Sequence, residues 1–403
     1  MLLSVLLTAA MTGPTPRPAP TCAPDNAGLK LPAGFCAVLV ADSLGPVRHL
    51  AVTPRGDLIA AHNRSGVLLL RDTDGNGTAD ERHWLFQGVG GSGLVLASDA
   101  IYFAANDSVL RIPYRAGDVA PAGAVETIAR GLPRGGHSSK GLALGQDGAL
   151  YVSFGSLTNS CQKSGEDRRG PYPSPNPCLE TDQRAGIWRF DARKTGQTAE
   201  NGVRHATGLR NPMALSVEPS SGTLYMAVHG RDQLTENWKW SAEDGRENPA
   251  EEFGPVPAGA DYGWPYCFYN PSKKVKLLNP EYGGDGTAAG DCASKAQPAI
   301  GFPAHWAPNA LMFYTGSMFP AEYRGGAFLA FHGSWNRAPA PQQGYRVVFI
   351  PFQNGKATGT WKDFVLPAGQ ATDIRPTGLA QGPDGSLYVS DDAHGKIWRI
   401  LAK

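Results

Sequence analysis

Gly141-Leu142-Ala143-Leu144-Gly145-Gln146-Asp147-Gly148-Ala149-Leu150-Tyr151-Val152-Ser153-Phe154 is an apolar run, a turn, and then a Gly-x-Leu-Tyr step that opens a second apolar run. The phrase returns, with variation, from Leu50-Ala51-Val52 to Leu58-Ile59, from Gly93-Leu94-Val95 to Ile101-Tyr102, and from Ala214-Leu215-Ser216 to Leu224-Tyr225. Two more copies run from Ala310-Leu311-Met312 to Ala327-Phe328 and from Gly378-Leu379-Ala380 to Leu387-Tyr388. Repeats of roughly 40–60 residues made of short strands mark a β-propeller, one repeat to a blade. Six copies predict an all-β fold, a six-bladed β-propeller around a central channel.

The bulk composition agrees. The chain has 403 residues with 50 glycines and 33 prolines, a turn-rich content suited to many short strands. Third strands are expected at Gly66–Leu70, Ser108–Ile112, Gly186–Phe190, Tyr345–Ile350 and Gly395–Ile400. The last of these ends close to the final residue. A propeller must close its ring, and Phe35-Cys36-Ala37-Val38-Leu39-Val40 is placed to supply the outer strand of the final blade. Two spans break the rhythm, 157–184 and 232–304, and long loops on a rigid scaffold shape binding sites.

A net charge of +1 argues against a polyanion such as nucleic acid as partner. Residues 1–20 read as a short signal-peptide core and a Pro-rich linker, leaving 21–403 as a single propeller domain, and no further segment is long and apolar enough to span a bilayer. The six cysteines fall in neighbouring pairs: Cys22 with Cys36, Cys161 with Cys178, Cys267 with Cys292. Disulfides in an oxidising compartment suit that arrangement, although six cysteines leave other connectivities open. An exported protein, periplasmic or secreted, is expected.

The residues that interrupt the repeat carry the functional signal. Before the first strands stand Arg48 and His49, Gly91 and Ser92, His137, Arg210 and Asn211, His305, and Arg375. After the second strands stand His62, Asn106, Ser156, His229 and Gly230, His332, and Asp391 and Asp392. Both sets emerge at one end of the ring. Closing a propeller does not need such a ring of His, Arg and Asn; it suits an anionic, planar or polyoxygenated ligand held by cationic forks and amides.

His137-Ser138-Ser139-Lys140-Gly141, Gly208-Leu209-Arg210-Asn211-Pro212, Asp261-Tyr262-Gly263-Trp264-Pro265, His332-Gly333-Ser334-Trp335-Asn336-Arg337 and Arg375-Pro376-Thr377-Gly378 together resemble the quinoprotein sugar dehydrogenases. The likeness is to soluble glucose dehydrogenases and, more closely, to sorbosone-dehydrogenase-like proteins, and it runs from about residue 30 to 400. It implies pyrroloquinoline quinone (PQQ) with calcium, a sugar, sugar aldehyde or polyol as substrate, and an external electron acceptor. His137 would be the general base, a role worth about 10²–10⁴ in rate. Arg210 would face the quinone oxygens, with Asn211, His305, Asn336, Arg337 and Arg375 around the cofactor. The main-chain carbonyls of Gly230 and Arg231 would ligate calcium. Two departures stand out: Ser156 replaces the aspartate that orients the base in glucose dehydrogenases, leaving Ser156 or Asn159 for that task, and Arg337 is the only cation near Asn336.

Asp72-Thr73-Asp74-Gly75-Asn76-Gly77-Thr78-Ala79-Asp80 spaces oxygen ligands as a calcium loop does, so Asp72, Asp74, Asn76 and Asp80 form a possible second calcium site; a plain Asp-Gly turn is the alternative. Trp264 and Trp335 could flank a pocket in which a sugar ring stacks. The competing functional readings are a calcium-dependent lactonase or esterase and a non-catalytic carbohydrate-binding propeller.

Overall fold

The computed structural model describes residues 20–403. Nearly all of the signal-peptide and linker segment lies outside them. The described chain folds into six sheets of four or five strands, one for each copy of the repeat, and two two-stranded hairpins. Blade one is built from Val47–Val52, Leu58–His62, Gly66–Arg71 and Glu81–Gln87; blade two from Gly91–Leu96, Ala100–Ala105, Ser108–Pro113 and Glu126–Arg130. Blade three uses Leu142–Leu144, Ala149–Phe154, Gly186–Asp191 and Val203–Thr207. Blade four uses Ala214–Val217, Leu224–Val228, Glu251–Pro255 and Ile300–Phe302. Blade five uses Pro308–Phe313, Ala327–Phe331, Arg346–Ile350 and Lys362–Pro367. Blade six joins Pro376–Gln381, Leu387–Asp391 and Lys396–Ala402 to Phe35–Ala41 from the other end of the chain. Phe35 pairs with Ala402 and Val38 with Arg399, so the ring closes through a strand from near the start of the chain.

The packing explains the repeat. Seven apolar clusters occur among the described residues, and six of them sit between successive blades. Ile59, Leu69, Ile101 and Phe103 join blades one and two, and Val40, Leu50, Ala380 and Tyr388 join blades six and one. The tyrosine of the Gly-x-Leu-Tyr step sits at these seams: Tyr102 donates to the Ala192 carbonyl and Tyr225 to that of Gly355. Glycine at the start of an inner strand lets neighbouring blades approach near the axis. A Cβ on Gly141 would lie 2.2 Å from the Met213 carbonyl oxygen, and one on Gly378 2.1 Å from that of Arg48.

The span 232–304 departs from expectation. It contains the third and fourth strands of blade four, Glu251–Pro255 and Ile300–Phe302, as well as inserted structure. The inserted parts are two short helices, Leu234–Trp238 and Ala242–Glu247, and the hairpin Cys267–Asn270 with Val275–Leu278. Glu251-Glu252 hid the strand, because both carboxylates are buried and bonded. Glu252 pairs with the buried Lys276 at 2.7 Å, and Glu251 accepts from the Gly230 and Ala307 amides. The disulfides are Cys22–Cys36, Cys161–Cys178 and Cys267–Cys292. The second holds the 157–184 loop and the third the inserted hairpin.

Candidate active site

One end of the channel is lined mostly by apolar side chains, among them half-buried Val52, Leu96, Leu144, Val217 and Met312, with Ser216 and Gln381, around a cavity of about 320 Å³. The other end carries the polar residues. At that mouth His137 opens the inner edge of blade three. Its Nδ1 lies 3.0 Å from both the carbonyl and the Oγ of Ser156, whose hydroxyl donates to the Thr158 carbonyl at 2.6 Å. That network assigns the ring proton to Nδ1. Nε2, which has no hydrogen-bond partner among the described residues, then carries the lone pair. Burial, and then the charge of Arg210, hold the His137 pKa well below the usual histidine value, so the imidazole is neutral at neutral pH. Ser156 thus orients the ring.

Asn159 has a different partner. Its carbonyl and Oδ1 accept from Nε and Nη2 of Arg210, each at 3.1 Å, and its Nδ2 donates to the Asp232 carbonyl. Arg210 is 4% exposed, and its other bonds run to Asp232 Oδ2 at 2.9 Å and to the Gly230 carbonyl at 2.7 Å. The Gly230 carbonyl, expected to ligate calcium, is therefore engaged by a guanidinium. Arg231 turns its side chain into the protein, paired with Glu281.

Asp232 is the hub that sequence reading missed. Arg210 and Arg168 pair with Oδ2, Asn336 Nδ2 donates to Oδ1 at 2.8 Å, and His305 Nδ1 lies 3.7 Å from Oδ1. Burial works to raise the Asp232 pKa, but the charge of Arg210 and the contacts with His305 and Arg168 outweigh it and leave it well below the usual carboxylate range. The His305 pKa is raised: burial works against the cation, and the Asp232 contact more than offsets it. Asp232 had no signal in the repeat, since it opens an aperiodic span; its place beside Gly230 and Arg231 was the only pointer.

On the blade-six side, Arg375 Nη2 lies 2.8 Å from His332 Nδ1, His332 Nε2 reaches Asp392 at 2.7 Å, and Arg48 reaches the other Asp392 oxygen at 2.5 Å. His229 Nε2 lies 2.8 Å from the Pro308 carbonyl. Burial, then Arg210, and more weakly His332, lower its pKa to about 3. Arg210, His305 and Asn336 thus meet at Asp232, and His137, Asn211 and Arg375 stand at the same end of the ring, where the inner strands of blades three, four and six begin.

Arg337 departs from the expected role. Its guanidinium donates to the Ala304 and Arg246 carbonyls at 2.9 Å and to Glu247 at 3.1 Å, so it staples the inserted helix Ala242–Glu247 to the blade. Trp264 is also structural, buried with its indole N–H on the Asn159 carbonyl, whereas Trp335 is 65% exposed. The Asp72–Asp80 turn lies at the opposite end of the ring. Carboxylate oxygens of Asp72, Asp74 and Asp80 come within 4.8 Å of one another. The turn is closed by its own bonds: Asp72 accepts from the amides of Gly75 and Gly77, Asp74 from Asn76, and Asp80 from Thr73.

A family model described as TrAA12-like matches residues 29–403, the whole propeller. The chain belongs to the TrAA12-like family. The PQQ-dependent pyranose dehydrogenase of Coprinopsis cinerea is 29% identical over 234 residues, 51% of this chain and 31% of that protein. An uncharacterized protein of Borreliella burgdorferi is 30% identical over 201 residues, 48% of each chain. The chain thus spans about half or less of the length of these curated relatives. Among solved structures, the Trichoderma reesei Carbohydrate-Active Enzymes Family AA12 protein has a TM-score of 0.77 at 20% identity, covering 96% of this chain and 100% of that one. The holo form of the C. cinerea pyranose dehydrogenase PQQ domain gives 0.73 at 21% identity, covering 95% and 98%. At these identities the structural likeness speaks for the six-bladed fold.

Proposed function

We propose that this TrAA12-like propeller is a PQQ-dependent oxidoreductase acting on a sugar, sugar aldehyde or polyol. The observation that carries the reading is His137: a neutral imidazole anchored through Nδ1, with Nε2 free, at a mouth that also holds Arg210. Family membership and the C. cinerea relative support it.

The residues fit the cofactor. Asn211 Oδ1 and Asn336 Oδ1 are buried without partners, and the Arg375 guanidinium meets only His332 among the described residues. These unused groups suit a flat molecule bearing carboxylates and a ring N–H. Asn211, Asn336 and Arg375 would hold it, with Arg210 beside it, while His305, its Nε2 on the Gly245 carbonyl and its Nδ1 facing Asn336 and Asp232, would back them. PQQ supplies the acceptor for the hydride that leaves the substrate carbon. The chain does the rest: His137 Nε2 takes the hydroxyl proton, Ser156 keeps the ring in register, and Arg210 presents positive charge to growing negative charge. Calcium at the Gly230 and Arg231 carbonyls is part of the reading. Asp232 would supply an anionic oxygen beside them, next to the Gly230 carbonyl that Arg210 holds. The rim formed by the 157–184 loop and Trp335 would choose between sorbosone-type aldehydes and aldoses. An external acceptor would take up the electrons. Three disulfides suit an exported protein.

The lactonase reading needs several carboxylates in the channel. Among the described residues the one such group, Asp72–Asp74–Asp80, is at the other end. The test is to titrate the protein with PQQ and calcium and then offer aldoses, ketoses and aldehydes with a dye acceptor. Stoichiometric quinone absorbance that bleaches on adding a sugar is expected. Hydrolysis of lactones or esters without quinone would replace this reading.

A further inference from the structure

Lys140 lies outside the network just described. Its side chain is 1% exposed. Among the described residues no carboxylate lies within ion-pair distance of its ammonium. Nζ instead donates to the Pro133 carbonyl at 2.9 Å and the Ser138 carbonyl at 3.2 Å, and it lies 5.2 Å from the centre of the Phe154 ring. Pro133 and Ser138 bracket His137 in the loop that enters blade three. Arg184, from the end of the 157–184 span, donates to the next two carbonyls of the same loop, those of Arg134 and Gly135. Two cations therefore gather four carbonyls of one short loop. Its glycines, Gly135 and Gly136, have φ of +79° and +54° and give the segment little rigidity of its own. A buried lysine without an anion is costly: burial, and more weakly Arg184, lower its pKa to about 7. Such a charge needs a reason to be there.

We propose that Lys140 is a positioning residue for the base: its ammonium clamps the 133–138 loop so that His137 Nε2 faces the mouth, with Arg184 tying the same loop to the 157–184 insertion. This rests on the reading of His137 as the base. Lys140 touches no reacting atom, so its effect passes through His137.

The experiment compares the full chain with Lys140→Met, which keeps the length of the side chain and removes the charge. Hydrogen exchange of a peptide spanning 131–141 is expected to quicken about tenfold in the variant while the blade strands stay protected. With PQQ and sugar, kcat is expected to fall by about tenfold or more, with KM within about twofold. In His137→Ala, adding Lys140→Met should change kcat by less than about twofold, because the two act as a unit. Unchanged exchange overturns the proposal, and so does a full additional loss on top of His137→Ala. If the wild type shows no quinone-dependent turnover, the reading of the site fails separately, and the exchange result alone decides the clamp. If Lys140→Met does not fold, Arg184→Gln reports on the same peptide, with a smaller acceleration expected and none counting against the clamp.

Discussion

His137 and Asp232 mark the two limits of what single residues reveal. His137 stands at the edge of a repeat, where a polar residue is conspicuous against the pattern, and the same holds for Arg210, Asn211 and Arg375. Asp232, Arg168 and Asn159 lie in aperiodic spans, and only folding brings Asp232 and Asn159 onto the Arg210 guanidinium and Arg168 onto Asp232. Asn159→Ala removes the Oδ1 acceptor of Arg210 and the amide that holds the Asp232 carbonyl. It is expected to lower kcat/KM by about 10–100-fold in a steady-state assay, a loss of about 1–3 kcal/mol. The pH profile carries a sign. A general base works when deprotonated, and burial together with Arg210 lowers the His137 pKa. The acid limb of kcat/KM is therefore expected well below 6.5, and Arg210→Met should move it back upward by removing the neighbouring charge. A profile unmoved by that substitution would contradict the electrostatic coupling.

At the scale of elements, inner strands were legible because each repeats an apolar run before a turn, and outer strands less so. Glu251–Pro255 hides behind two glutamates, since a sequence does not show that Lys276 will sit against Glu252. Lys276→Met leaves that carboxylate buried and unpaired, so it should destabilise the fold by about 3–5 kcal/mol, measured by denaturant unfolding. Gly141→Ala is the matching test of blade approach. Its Cβ would meet the Met213 carbonyl at 2.2 Å, and backbone cannot yield as a flexible side chain can. A lowered melting temperature is expected, with a loss of about 1–3 kcal/mol. The 157–184 loop was visible only as an interruption. Its role as a scaffold for Arg210 and for the His137 loop comes from contacts that have no local pattern.

For the whole molecule, the six repeats dictated six sheets, and the incomplete last repeat called for a strand from the other end of the chain. Phe35–Ala41 supplies it, and Cys22–Cys36 bonds the chain just before it to that strand. Replacing both of these cysteines by serine should lower stability by about 3 kcal/mol, seen as an earlier unfolding midpoint, because the closed loop spans 14 residues. The closed ring is what brings His137 of blade three, Arg210 of blade four, and Arg375 of blade six to one mouth. The most direct test of that convergence is single-turnover bleaching of bound PQQ by sugar, in wild type and His137→Ala. One equivalent of quinone is expected to bind in both, with bleaching slowed about 10²–10⁴-fold in the variant. Equal bleaching rates in the two proteins would contradict it.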